Sequence, residues 1–282
     1  MNKTVLIADS GSTKTDWILI RPKSKKRIKT QGIHPYFQSV DDIKRILEQE
    51  LSINPKKTVL DEIHFYGAGI NSRDSSQIIK KSLKRHFQAK KISTHSDMLA
   101  AARATCQSEK GIACILGTGS NSCYYNGKKI STKHRSLGFV LGDEGGGNHL
   151  GRKVVQYYLH GLFDAKLAKA FEELYNSDVN YILNSIYRKP FPNRYLANFA
   201  SFVFDNRGHF MMENIAEDCL NEFFINHLIR YKQVQKVPVH FSGSVAFYLK
   251  DVLERLCFQY NIELGQIMQR PILDLVKYHK SQ

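Results

Sequence analysis

The chain has 282 residues, 42% hydrophobic and 24% charged, with a formal net charge of +15. These proportions exclude a disordered polypeptide, and the length suits two domains around a cleft. Val5 to Ala8 is too short for a signal-peptide core, no other run could span a bilayer, and five cysteines without a C-x-x-C pair read as reduced thiols, so a cytoplasmic protein without a zinc site is expected.

Taken in chain order, residues 3–8, 16–20 and 28–33 read as strands. Between the second and third lies Arg21 to Lys29, a basic run expected to be an exposed hairpin tip. A helix is predicted over Asp41 to Leu51, with Ile43, Ile46, Leu47 and Leu51 on one face and Asn54-Pro55 ending it. A strand at Ile63 to Tyr66 ends in Gly67-Ala68-Gly69. A helix then runs from Asp74 to Phe87, its apolar face made by Ile78, Ile79, Leu83 and Phe87 and its wet face by lysines. The basic face lacks interleaved aromatics, so it is read as a solvated surface that attracts anionic substrates rather than as a nucleic-acid site. A short strand at Lys91 to Ser93 leads into His95-Ser96-Asp97 and an Ala-rich helix from Met98 to Ala104. At Gly111 the hairpin pattern restarts, which predicts a boundary between domains 1–108 and 109–282. The second is expected to be mostly helical from Asn148 to Tyr231, broken at Asn193. It then makes a strand at Pro238 to Phe241, a turn at Ser242-Gly243-Ser244 and a helix from Val245 to Tyr260.

Two hydroxyl-rich turns stand out. Asp9-Ser10-Gly11-Ser12-Thr13-Lys14-Thr15 follows the first apolar strand, and Gly117-Thr118-Gly119-Ser120-Asn121-Ser122 follows Ile112 to Leu116. Superposing Gly11 on Gly119 matches Ser12 with Ser120. Each tip can bring backbone N–H groups and hydroxyls onto an anion, and two of them suggest a phosphate chain gripped from both sides.

Together with His95-Ser96-Asp97, Gly142-Asp143-Glu144-Gly145 and Ser242-Gly243-Ser244, in this order, the turns resemble the N-acetylglucosamine kinases of the sugar kinase–actin–chaperone ATPase superfamily. The likeness is strongest to the short bacterial members and covers residues 4 to about 279. It implies an α/β fold of two actin-like ATPase (ribonuclease H-like) domains around a cleft, the second enriched in helices. It also implies a kinase that uses ATP and Mg²⁺ on a small sugar, and a homodimer. Gly11, Ser12, Thr13 and Lys14, with Thr118, Gly119 and Ser120, would bind phosphates. Asp9 would hold Mg²⁺ through water. Gly243 and Ser244 would pack against the nucleoside. Asp97 corresponds to the family's catalytic aspartate, although its position also suits an N-cap, with Ser96 as the rival cap. Asp143 and, less directly, Glu144 would bind sugar hydroxyls, and Asn121 would face the sugar.

One departure concerns Gly32-Ile33-His34-Pro35, where the short relatives carry Gly-x-Asn-Pro. His34 replaces an asparagine that approaches the sugar, which leaves N-acetylmuramate, glucosamine and glucose open beside N-acetylglucosamine. Ser10 also stands where many relatives have glycine. His149, at a predicted helix start, reads as polar surface that could approach the substrate. The rival activity is an activator-type ATPase of a radical dehydratase, which needs cysteines around an iron–sulfur cluster. Cys106 and Cys114 are the nearest pair in sequence, and both suit burial better. A non-catalytic sugar sensor is the third reading, against which the intact Asp97 and both turns argue.

Overall fold

The computed structural model describes residues 3–11, 13–132 and 136–281. The chain divides into two compact units: residues 1–109, 125–130 and 270–282 form the first, and 110–124 with 131–269 the second.

The first unit opens with an antiparallel meander, β1 (Val5–Ser10), β2 (Lys14–Arg21) and β3 (Ser24–Gln31). It continues through α1 (Val40–Glu50), β4 (Leu60–Gly67), α2 (Arg73–His86), β5 (Ala89–Ser96) and α3 (Asp97–Cys106). The sheet order is β3-β2-β1-β4-β5, with β4 parallel to β1 and β5 parallel to β4. Alternation along the strands sends Leu6, Ala8, Trp17, Leu19, Ile63 and Phe65 into one core with Ile43, Ile46 and Leu47 of α1 and Ile79 and Leu83 of α2. Each of the leucine, isoleucine and phenylalanine side chains contributes about 1.5–3 kcal/mol on burial. Serine caps start both helices: Ser39 and Ser72 each accept the backbone N–H three residues on.

A polar cluster occupies the sheet's other side, where α3 and the C-terminal helix Ile272–Ser281 pack. Arg103 donates to the Tyr66 hydroxyl (2.8 Å), which lies 2.8 Å from His279 Nε2. The His279 ring lies over His64, with centroids 3.9 Å apart. Burial, then the neighbouring His64 and Arg103, holds His279 down at about 3, and burial also lowers His64. Unfolded histidine titrates near about 6.5, so below that pH the unfolded chain binds more protons than the folded one. Stability therefore falls as pH drops from about 6.5 towards about 3. Melting temperature should decline across the upper part of that window, and His279→Gln should flatten the decline. Identical slopes for the two proteins would contradict this.

The remaining elements are β6 (Lys110–Leu116), β7 (Ser120–Asn126), β8 (Ile130–Ser131), α4 (Gly138–Leu141), α5 (Gly147–Leu159), α6 (Ala165–Leu174), α7 (Val179–Tyr187), α8 (Pro192–Asn198), α9 (Ala200–Asp205), α10 (Phe210–Phe223), β9 (Val239–Ser242), α11 (Ser244–Tyr248), α12 (Lys250–Gln259), β10 (Leu264–Met268) and the C-terminal helix, α13. The second sheet has the order β10-β9-β6-β7-β8, with β9 parallel to both β6 and β10. Its large core joins Ile112, Cys114 and Leu116 of β6 to Phe171, Phe202, Phe223 and Phe241. The α10 helix ends in a single π-helical turn, Phe224–Leu228, in which Ile229 N–H donates to the Phe224 carbonyl.

Several element boundaries differ from expectation. Most of the basic run is strand, because β3 begins at Ser24 rather than 28 and ends at Gln31; only its start forms the hairpin tip. Lysines on such an edge strand oppose pairing with a further sheet. Asn193 lies inside α8 and does not break it; the interruption precedes Pro192, which begins that helix where a missing N–H costs nothing. The helix expected over 245–260 is two helices meeting at Leu249. Neither β10 nor α13 was expected. No helix among the described residues is long and apolar enough to cross a membrane.

Candidate active site

In the first unit the sequence-predicted residues meet at one sheet edge. The parallel register places Ser10 beside Gly67 and Gly67 beside Ser96, so β1, β4 and β5 all end there. Loops beyond the carboxyl ends of parallel strands are the usual ligand-binding ground of such sheets. The first turn is closed by Gly11 N–H donating to the Lys14 carbonyl (3.0 Å), and Gly32 N–H donates to Thr13 (3.0 Å). Ser12 lies outside the described residues. Gly11 has no positive φ, and a Cβ there would meet only the Lys14 oxygen at 3.8 Å. Its contribution is therefore open space beside the turn rather than an unusual backbone.

Ser10 proves structural. Its buried hydroxyl accepts the Ile33 N–H (3.0 Å) and lies 2.7 Å from Thr15 Oγ1, tying β1 to the His34 loop. His34 accepts the Tyr36 N–H at Nδ1 (3.3 Å), and its ring lies so close to Gly69 that a Cβ there would meet it at 2.5 Å.

The helix cap is resolved in favour of Ser96, which accepts the Leu99 N–H (3.3 Å). Asp97 is the first helical residue and accepts the Met98 N–H (2.8 Å). Burial raises the Asp97 carboxyl above the ordinary carboxylate range. Burial, with the Asp97 and Asp16 carboxylates nearby, pushes Asp9 up to about 7. Hard oxygen donors crowded in this way suit a magnesium ion. No group of three metal-ligating side chains occurs among the described residues, so water and phosphate oxygens would complete its shell. Lys14 is lowered by partial burial and then by Arg270, a cation that motif reading did not flag.

The second unit brings three predicted segments together. In the second turn Gly117 N–H donates to Gly119 (2.9 Å), while Gly147 and Asn148 N–H groups donate to Gly117 and Thr118 (2.8 Å each). Asp143 reaches the same turn, accepting from Ser120 N–H (3.4 Å) and from Asn148 Nδ2 (2.7 Å). Gly119 permits this approach, since a Cβ on it would lie 2.6 Å from the Asp143 carboxylate. Gly243, at φ +118°, lies against the Leu116 carbonyl before the turn, and its N–H donates to Met268 (3.0 Å). Ser244 is the exposed first residue of α11.

A cavity of about 190 Å³ opens here, lined by Ser120, Asp143, Glu144, Asn226, His227 and Arg230 among others. Burial raises the Asp143 carboxyl. Burial is the largest influence on Glu144 and pushes it up, but the His227 hydrogen bond (3.0 Å), a bond from its own backbone N–H and the nearby His227 and His149 together outweigh it, and the carboxyl lies below its ordinary value. Asn226 donates to the other Glu144 oxygen (3.2 Å). The buried Ser120 hydroxyl has no hydrogen-bond partner among the described residues. Asn121 turns its amide oxygen to the Ser122 N–H (2.8 Å) and does not line this cavity. His149 is buried rather than on the surface; it accepts the Gly145 N–H (3.2 Å), and burial then nearby Arg152 and Lys153 hold it at about 4. Asn226 and His227 sit on the π-helical turn, which no local signal announces.

No protein-family model and no curated protein matches the chain. Among solved structures, a candidate N-acetylglucosamine kinase from Porphyromonas gingivalis shares 36% identity over 99% of both chains, with a TM-score of 0.92. A candidate N-acetylglucosamine kinase from Chromobacterium violaceum (16% identity, 98% of both chains, TM-score 0.73) shares the fold. So does a ROK family glucokinase from Streptomyces griseus, solved with glucose and AMPPNP (13%, 94% of both chains, TM-score 0.53). The order of the motifs, the two actin-like ATPase sheets and the 36% identity agree: the chain belongs to the N-acetylglucosamine kinase family of ATP-dependent carbohydrate kinases, within the sugar kinase–actin–chaperone ATPase superfamily.

Proposed function

We propose that the protein transfers the γ-phosphate of ATP to a hydroxyl of an amino sugar, with N-acetylglucosamine as the preferred acceptor. The observation that carries this reading is Asp97, a half-buried residue at the carboxyl end of the first sheet's parallel strands that is released from helix capping by Ser96. Its raised affinity for a proton suits a base that orients the acceptor hydroxyl and takes its proton late in a loose transition state. Ser12, Thr13 and Lys14 on one turn, and Thr118, Gly119 and Ser120 on the other, offer N–H, hydroxyl and ammonium donors for phosphate oxygens. Gly243 and Ser244 form the nucleoside contact. Asp143 and Glu144 each have both carboxylate oxygens held by a neighbouring donor, so they present fixed acceptors to sugar hydroxyls or an acetamido N–H. His34 and Asn121 complete the proposed sugar contacts. Mg²⁺, held near Asp9 through water, would supply charge neutralisation on the phosphate oxygens.

All five cysteines are buried, and burial keeps the Cys106 thiol up at about 11 and Cys257 at about 12. Thiols held protonated in this way are poor cluster ligands, so nothing favours the activator reading. ADP release from Mg-ATP should depend on added sugar, be fastest with N-acetylglucosamine among N-acetylmuramate, glucosamine and glucose, and stop on chelation of Mg²⁺. A rate that no sugar changes would overturn the reading.

A further inference from the structure

Arg270 stands outside every motif that the sequence offers. It follows β10, immediately before Pro271 and α13, where the chain re-enters the first unit. It is half-buried, its Nε is shut off from solvent without a partner, and it makes no hydrogen bond or ion pair among the described residues. Burying an arginine costs free energy unless an anion or acceptors receive its five donors. Of the 13 other arginines and 27 lysines, many find carboxylates; Arg27 takes Asp16, Arg85 takes Asp41, and Arg207 takes Glu213 and Asp251.

The surroundings say which charge is missing. Lys14 of the first turn lies within electrostatic reach of Arg270, and Lys29 and Arg27 act on Lys14 more weakly in the same sense. The acid that acts on Lys14 is Asp16, which is already paired with Arg27 at 2.9 Å. Two cations, one of them partly desolvated and unpaired, therefore converge beside a hydroxyl-bearing turn with open space over Gly11. A planar guanidinium matches two phosphate oxygens at once, which an ammonium cannot do.

We infer that Arg270 is a phosphate-binding residue that, with Lys14, clamps the polyphosphate chain of the nucleotide. This rests on the reading of the first turn as a phosphate site. In the free protein the residue is a stored electrostatic cost, recovered when the anion arrives.

The test compares wild type, Arg270→Met and Arg270→Lys by calorimetry with ATP, adenosine and inorganic tripolyphosphate, alongside melting curves without ligand. Arg270→Met should weaken ATP and tripolyphosphate about 10- to 100-fold. It should leave adenosine affinity within about twofold and hold or raise the ligand-free melting temperature, because a half-buried charge without a partner among the described residues is gone. Arg270→Lys should fall between, keeping charge without the fork. Equal loss for ATP and adenosine with a lowered melting temperature would make Arg270 structural and overturn the inference, as would unchanged tripolyphosphate affinity. Wild type binding adenosine but not tripolyphosphate would overturn the inference together with the phosphate reading of the turn. Intact tripolyphosphate binding without any sugar-dependent turnover would sink the kinase reading and leave the clamp standing.

Discussion

Replacing Asp97 with asparagine should lower kcat by about 10²–10⁴-fold, the usual contribution of a positioned general base. Affinity for ATP and for the sugar should change little, because the amide keeps the size and one acceptor oxygen of the carboxylate. The fold should survive as well. Ser96 caps α3, and the Asp97 carboxylate only accepts the adjacent Met98 N–H. Removing a desolvated carboxylate should even hold or raise the melting temperature, since burial is what pushes this group's proton affinity up. Steady-state kinetics with a melting curve separates the outcomes. An active Asp97→Asn enzyme would remove Asp97 from the chemistry, and an unfolded one would show that its role is structural.

Gly243→Ala should strongly damage the second unit. At φ +118° an L-residue is strained, which costs about 1–3 kcal/mol. The added Cβ would also lie 2.2 Å from the Leu116 carbonyl oxygen, an overlap with backbone that no rotamer relieves. Overpacking adds a cost of about 1–3 kcal/mol, so the combined loss is about 2–6 kcal/mol. Because Leu116 leads into the second turn, nucleotide affinity should fall with stability. Gly161→Asn is the control: its φ is +66° with nothing within 4 Å, so it should cost under about 1 kcal/mol and spare binding. Similar melting temperatures for the two variants would refute the close-packing argument.

What was legible in the chain was what is local. Apolar runs ending in glycine or hydroxyl-rich turns marked β1, β4 and β6, and helical spacing marked α1 and α2, because each signal lies within one element. The order of five short motifs carried the family. What escaped depends on contacts between distant residues. Ser10 read as a tolerated change from glycine, yet it anchors Ile33 across 23 positions. His149 read as surface, but it is buried and receives the Gly145 N–H under the acidic loop. Asn226 and His227 lie 82 and 83 positions from Glu144, on a turn whose π geometry has no sequence signature. Arg270 is one basic residue among 41, and what distinguishes it is an Nε shut off from solvent with no partner among the described residues. Asn193 failed for the opposite reason, since the adjacent Pro192 starts a helix as readily as it ends one.

The central claim is phosphoryl transfer to a sugar, and the product tests it most directly. Wild type incubated with Mg-ATP and N-acetylglucosamine should yield, by mass spectrometry, the sugar carrying one added phosphoryl group in amounts equal to the ADP formed, with Asp97→Asn forming almost none. ADP accumulating without any phosphorylated sugar, or equal product from the Asp97→Asn protein, would contradict it.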